Sequence, residues 1–281
     1  MNRIIITIAI CLAGIQSFSQ EHLPSASDYN RFHNTKTLVV LEDNLFSDFN
    51  DKIKEAVKQN WTITKYEFIS NAEFEKQRFN PKYSFLVTSI VTFNKDKTKA
   101  KYNFLSLLLG GKANAVGDMP DLCSIPLSYV QVDEESYIYK LTSLVLFMQN
   151  HIALVTKNPD IISENILKYY NKNSSETKDK TLYLLKNEMD DDVNSVAKIR
   201  KIYSGKVKLV EANEIEEAIQ NKNNDIIFLH KVGPEKTKNK ARCFKMLIGA
   251  GDAKFYYFDY HMVKGKQTDR FLGSDFKKLA K

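Results

Sequence analysis

The chain repeats itself, and that constrains its fold more than any other feature. Lys36-Thr37-Leu38-Val39-Val40-Leu41 returns 144 positions later as Lys180-Thr181-Leu182-Tyr183-Leu184-Leu185, and Tyr66 to Gly110 aligns with Val207 to Gly251 at a steady offset of 141. Each copy must build the same elements and bury the same faces, so the 281 residues reduce to two copies of one unit, 36–132 and 180–263. Each copy has the length of an ordinary small domain.

Within the first copy, Thr37–Leu41 is apolar at consecutive positions, as in a strand covered on both faces. Phe46 to Asn60 carries apolar residues at helical spacing. A second strand over Trp61–Ile69 follows, then a short helix from Ala72 to Arg78 capped by Ser70 or Asn71. Tyr83–Phe93, Lys99–Leu109 and Leu122–Val132 read as three more strands. The second copy gives Thr181–Leu185, a helix near Asp191–Tyr203, Lys206–Val210, a helix over Asn213–Gln220, Asp225–Val232, Lys240–Ile248 and Ala253–Val263. The β-α-β-α-β start implies right-handed crossovers between three parallel strands. The last two connections have no helical pattern, so strands four and five join as antiparallel hairpins. The expectation is an α/β fold of two tandem β-α-β-α-β-β-β repeats with mixed sheets, each in strand order 2-1-3-4-5.

The copies differ at two places. Between strands four and five the first has a twelve-residue turn, Gly110 to Asp121, and the second only Gly249-Ala250-Gly251-Asp252. Between the copies lies a helical connector, 133–172, in which Glu134 to Lys157 reads as one long helix and Ile161 to Tyr170 as another. The first is apolar nearly all round, so it is expected to be buried between the copies, a partner or dimer surface being the alternative. Lys140, Gln149, Asn150 and His151 argue against a membrane span. Residues 264–281 form a tail with a short basic helix around Ser274–Lys281.

Residues 1–19 have the form of a signal peptide. Arg3 precedes an apolar run from Ile4 to Ile15, and Ser17 and Ser19 suit cleavage before Gln20. An uncleaved anchor is the alternative. The expectation is an exported protein, periplasmic or extracellular, with no transmembrane span in the mature chain. Cys123 and Cys243 remain after cleavage; they read as two buried thiols, with a disulfide left open. No C-x-x-C, P-loop, G-x-S-x-G or H-E-x-x-H occurs, so no cofactor or metal is expected. The net charge of +7 is scattered lysine, which gives no reason to expect nucleic acid as a partner.

The candidate contact residues lie in the hairpin between strands three and four of each copy. Lys95, Lys97, Lys99 and Lys101 alternate in the first, and Lys236, Lys238, Lys240 and Arg242 in the second. They read either as a doubled docking site for an anionic partner, such as a glycan or lipid phosphate, or as charge that stops strand ends from pairing. Asp259 and His261 share a strand face, and His230 ends the third strand of copy two. Copy one has Ser128, Val130 and Ser89 at the aligned positions, so structural histidines are the simpler reading. His151 reads as a hydrogen-bonded core residue. Cys123 with His151 would be a nucleophile and base only if the fold brought them within reach. The glycines after strand four lead into strands, as turn glycines do. Tyr256-Tyr257-Phe258-Asp259-Tyr260 is either core or a sticky edge.

The repeated unit resembles the small α/β domains of periplasmic assembly proteins, such as the TolB N-terminal domain and the lipoproteins that activate cell-wall synthases. The leader, with Lys99–Leu109 through Tyr137–His151, is similar to exported Gram-negative bacterial proteins without an assigned role. The first resemblance implies protein binding and carries over no functional residue. Three functional expectations follow. One is a non-catalytic binding or envelope-assembly module, marked by a large exposed apolar patch. Another is a small-molecule or glycan binder, marked by a deep pocket between the copies with convergent polar groups. The third is a hydrolase, marked by a tight cluster of titratable groups.

Overall fold

A computed structural model describes residues 24–44, 47–93, 96, 98–130, 132–235, 240–264 and 268–280. The leader 1–19 and four of the hairpin lysines, Lys95, Lys97, Lys236 and Lys238, lie outside the described residues.

Both copies form five-stranded sheets in the expected order. The first contains β1 (Lys36–Val40), β2 (Lys65–Ile69), β3 (Tyr83–Thr92), β4 (Lys101–Leu109) and β5 (Asp121–Tyr129), ordered β2-β1-β3-β4-β5. The second contains β6 (Thr181–Leu185), β7 (Lys206–Val210), β8 (Ile226–Val232), β9 (Arg242–Gly249) and β10 (Phe255–Met262), ordered β7-β6-β8-β9-β10. β1, β2 and β3 run parallel, as do β6, β7 and β8, and the last two strands of each sheet are antiparallel.

The crossover helices are α2 (Phe49–Asn60) and α3 (Asn71–Gln77) in copy one, α6 (Val196–Ile199) and α7 (Ala212–Gln220) in copy two. Ser70 caps α3 through a reciprocal capping box with Glu73. The helix expected over Asp191–Tyr203 shrinks to α6, because the backbone becomes helical only after Ser195, whose side chain caps Lys198 N.

The two sheets stack front to back. The helix after the first strand lies in the central core in copy one, where α2 contributes Ile53 and Val57. Its counterpart α6 packs Ile199 into an outer cluster. The second crossover helix does the reverse: α3 places Phe74 outside, whereas α7 sends Ile215 and Ile219 inward. Right-handed crossovers fix which face of a sheet each helix covers. The α2 face of one sheet therefore looks at the α7 face of the other, and Lys52 of α2 pairs with Glu216 of α7 at 2.7 Å.

This stacking corrects the alignment of the repeats. Thr37 pairs with Tyr66, and Leu182 pairs with Val207, the counterpart of Tyr66. The structural partner of Thr37 is therefore Leu182, one position beyond the sequence match. Similarly Ser84 and Ile227 correspond, each opposite those residues, so His230 matches Val87 and not Ser89. A slip of one exchanges the two faces of a strand. The sequence could not register it, because these first strands are apolar on both sides.

The connector runs through the central layer. Glu134–Lys157 is helical but not one α-helix: two short 3₁₀ turns, Glu134–Ser136 and Ile138–Lys140, lead into α4 (Leu141–Lys157). This stretch is long and apolar enough to cross a membrane, yet 67% of it is buried inside the protein. α4 packs on α2 and on α1 (Ala26–Phe32). Phe147 stacks on Phe255 of copy two at 3.6 Å. α1 was not expected, although Ser25-x-x-Asp28 is a capping box and Tyr29 and Phe32 are buried. The second connector helix is also shorter than expected, α5 (Ile166–Asn171) after a 3₁₀ turn at Pro159–Ser163.

α5 closes the edge of β10. The Asn171 amide accepts from Phe258 N at 2.7 Å and donates to Phe258 O at 2.9 Å, as a neighbouring strand would. The aromatic strand is thus mainly core: Tyr256 and Tyr257 are buried, and Tyr260 is 39% exposed. The C-terminal helix α8 (Gly273–Leu279) buries Phe276 and Leu279 against the outer face of sheet two. Its Asp275 forms a buried pair with Lys245 at 2.6 Å and accepts from Tyr257 OH at 2.9 Å.

Because Phe147 is the direct aromatic link from the central helix to copy two, Phe147→Ala is expected to cost about 3–5 kcal/mol, read as a lower urea midpoint in equilibrium unfolding.

Candidate binding groove

In sheet two the chain leaves β6 on the outer face to reach β7, then returns on the inner face to reach β8. Loops that depart in opposite directions leave a crevice at the carboxyl ends of the parallel strands, where α/β sheets hold ligands. Here the crevice is a groove of about 810 Å³. Lys186 to Glu188 after β6, Glu211 and Ala212 after β7, and Lys231 and Glu235 at the end of β8 form one side. Asp133, Glu135, Ser136 and Tyr139 of the connector form another, with Asp269 and Arg270 of the tail.

The groove floor holds buried charge with unmade hydrogen bonds. The Lys231 side chain is 4% exposed, and its Nζ lies 3.6 Å from Glu235 and 3.7 Å from Asp269. Behind it Lys140 is fully buried, with Nζ 3.8 Å from Glu188 Oε1 and 4.9 Å from the centre of the Tyr139 ring. These separations make ion pairs but are too long for hydrogen bonds. Among the described residues, Lys140 Nζ, Glu188 Oε2, Tyr139 OH and His230 Nδ1 have no hydrogen-bond partner. Buried polar groups are rarely left so, and four in one region call for an explanation.

Burial works against the charge of both lysines. The surrounding charges overcome it, Glu188 foremost at Lys140, and Cys243, Glu188, Asp269 and Glu235 at Lys231, and both ammonium groups stay above the ordinary lysine value. Burial, reinforced by Lys140, lowers His230 to about 3. It is a neutral imidazole whose Nε2 donates to Pro126 O of β5 at 2.9 Å, tying the two sheets together.

Of the hairpin candidates, Arg242 joins the two copies. Arg242 pairs bidentately with Asp96, at 2.7 and 3.0 Å, and its guanidinium lies over Phe93 at 3.9 Å and Tyr260 at 4.8 Å. Tyr102 OH accepts from Arg242 N at 2.6 Å. Arg242 is thereby engaged inside the protein, whereas Lys99, Lys101 and Lys240 are exposed.

The other candidates stay apart or are not activated. Asp259 and His261 lie on the outer face of sheet two, held by Lys278 and by Thr268 O respectively, opposite to the face that carries His230. Cys123 and His151 do line one apolar crevice of about 310 Å³. Burial raises the thiol well above its ordinary value and lowers the imidazole to about 4. Both shifts oppose a thiolate–imidazolium pair. His151 Nδ1 instead meets Tyr170 OH at 2.7 Å. Cys123 and Cys243 are free and buried. Gly110 follows β4 and Gly249 ends β9, and a Cβ on Gly110 would lie 2.3 Å from Asn80 O. Among the described residues no group of three His, Cys, Asp or Glu is placed to hold a metal ion.

Sequence reasoning missed the groove residues. The available signal was a lysine inside an apolar strand, Ile226–Val232, and another opening an apolar helix. Lys140 was read only as an interruption of a membrane span.

Glu188 serves two cations, Lys140 and Lys231. Glu188→Gln leaves Lys140 as an uncompensated buried charge and is expected to cost about 3–5 kcal/mol. Lys140→Met leaves Glu188 still facing Lys231 and is expected to cost less than half as much, in the same urea titration. A second expectation concerns pH. His230 and His151 refuse protons in the fold that they accept, near the ordinary 6.5, when unfolded. Their contribution is complete above that value and is lost as pH falls toward 4 and then 3. At about pH 4.5 each costs on the order of 2–3 kcal/mol. Thermal melts should fall steeply over this range, and His230→Gln should flatten the fall.

No family model, curated protein or solved structure matches this chain.

Proposed function

We propose that this is an exported, soluble, non-catalytic binding protein that holds a small polar ligand in the groove between its second repeat and the connector. The observation that carries the reading is the groove floor: buried polar side chains with unused hydrogen-bonding capacity, at the carboxyl ends of parallel strands. Such groups are costly to leave unpaired and inexpensive to satisfy with a ligand that donates and accepts.

A protein-docking role has less support. The large apolar side chains exposed among the described residues are four, Phe79, Ile90, Ile166 and Tyr260. A hydrolase would need an activated nucleophile, and the Cys123–His151 pair is shifted the wrong way. Export rests on the leader sequence.

Expression of the full chain in a Gram-negative host tests both parts. The mature protein should begin at Gln20 on N-terminal sequencing. Native mass spectrometry of the purified protein should show a small-molecule adduct that Ala212→Trp, which fills the groove, removes; Ser136→Trp serves if that variant does not fold. A co-purifying protein, with no adduct and no effect of either tryptophan, would overturn the reading.

A further inference from the structure

We propose that the groove's ligand carries an ammonium group. This rests on the groove reading above and adds the chemical class of its occupant.

The first observation is the sign of the groove. Among the described residues, Asp133, Glu135, Glu188, Glu211, Glu235 and Asp269 line it against Lys186, Lys231 and Arg270, six carboxylates to three cations, with Lys140 buried behind Glu188. The whole chain carries +7, so the groove is a local reversal of the protein's field. Two of the three cations are already engaged. Lys231 lies between Glu235 and Asp269, and Arg270 Nη1 donates to Met189 O at 3.0 Å and lies 3.8 Å from Asp191. A concave site of one sign concentrates ligands of the other.

The second observation is Glu188 itself. Its side chain is 9% exposed, it lines the groove, and its Oε2 has no hydrogen-bond partner among the described residues. A carboxylate oxygen can only accept, so what completes it must donate. Tyr139, whose ring centre lies 4.9 Å from Lys140 Nζ, offers a hydroxyl on the same lining. An ammonium has three donors for such acceptors and adds positive charge to a lining with an excess of acid. A neutral polyol would meet the hydrogen bonds and leave the charge uncompensated. A carboxylate or phosphate would be repelled by the six acids.

Three probes on one four-carbon scaffold separate these cases: 1,4-diaminobutane, 1,4-butanediol and succinate, titrated calorimetrically into the mature chain at low salt. The diamine alone is expected to bind, with an affinity that falls as salt rises. The double variant Glu135→Gln/Glu235→Gln, both partly or fully exposed side chains, should weaken it about tenfold, at the upper end for two such charges. Ala212→Trp should abolish it. Butanediol or succinate binding as tightly as the diamine, calcium ion displacing the diamine, or no diamine binding up to about 10 mM would each overturn the proposal. Should the native adduct of the preceding experiment be neutral or anionic and still vanish in Ala212→Trp, the ammonium claim falls and the groove reading stands. Diamine binding that survives Ala212→Trp removes both.

Discussion

The burial of α4 is the constraint on which the rest depends. A helix with Leu144, Val145, Phe147, Met148, Ile152 and Val155 buried must be covered over most of its surface, and Asn150, Ala153 and Lys157 are left exposed. One sheet with its own helices cannot do this. α1 and, from the first copy, α2 and β5 cover it, and the second copy supplies Phe255, with α7 against the turn Ile138–Lys140 that precedes it. The two repeats therefore share a central core that neither could close alone. The outer clusters beneath α3 and beneath α6 and α8 are local to each copy.

Front-to-back stacking follows from how the copies meet around that helix, and it places the groove. The α7 side of sheet two, not its α6 side, faces the connector. The carboxyl ends of β6 and β7 therefore open toward Asp133–Tyr139. The same connector segment also meets the chain after β1, where Ser47 donates to Glu134 at 2.9 Å. The buried charges belong to the same arrangement. Lys140 enters from the connector, Glu188 from the loop after β6 and Lys231 from β8, so the contact of Lys140 with Glu188 exists only when the connector is docked on the second copy. Removing one member leaves another charged and dry, which is why the cluster couples stability to the geometry of the groove.

Much of the fold was legible. Strand order 2-1-3-4-5, the parallel and antiparallel portions, the cap at Ser70 and the burial of the connector are consequences of hydrophobic period and short connections, which act locally along the chain. The failures were also physical. The helix over Asp191–Tyr203 had the right apolar spacing, yet only four residues wind, because the stretch before Ser195 forms turns. The repeat alignment slipped by one at β1, because Leu38 and Val39 are equally apolar and the pattern has no phase to report. The basic hairpins looked alike in sequence, but Asp96 of one captures Arg242 of the other.

The amino-acid sequence by itself determined two copies of one mixed α/β unit and an apolar rod between them, because periodicity and burial are properties of neighbours along the chain. Only the tertiary structure decided which face of each sheet turned inward, and hence that Lys140, Glu188 and Lys231 meet at one groove. Those residues are about 40 to 90 positions apart, and nothing in local pattern encodes an encounter that depends on how the connector docks on a finished sheet.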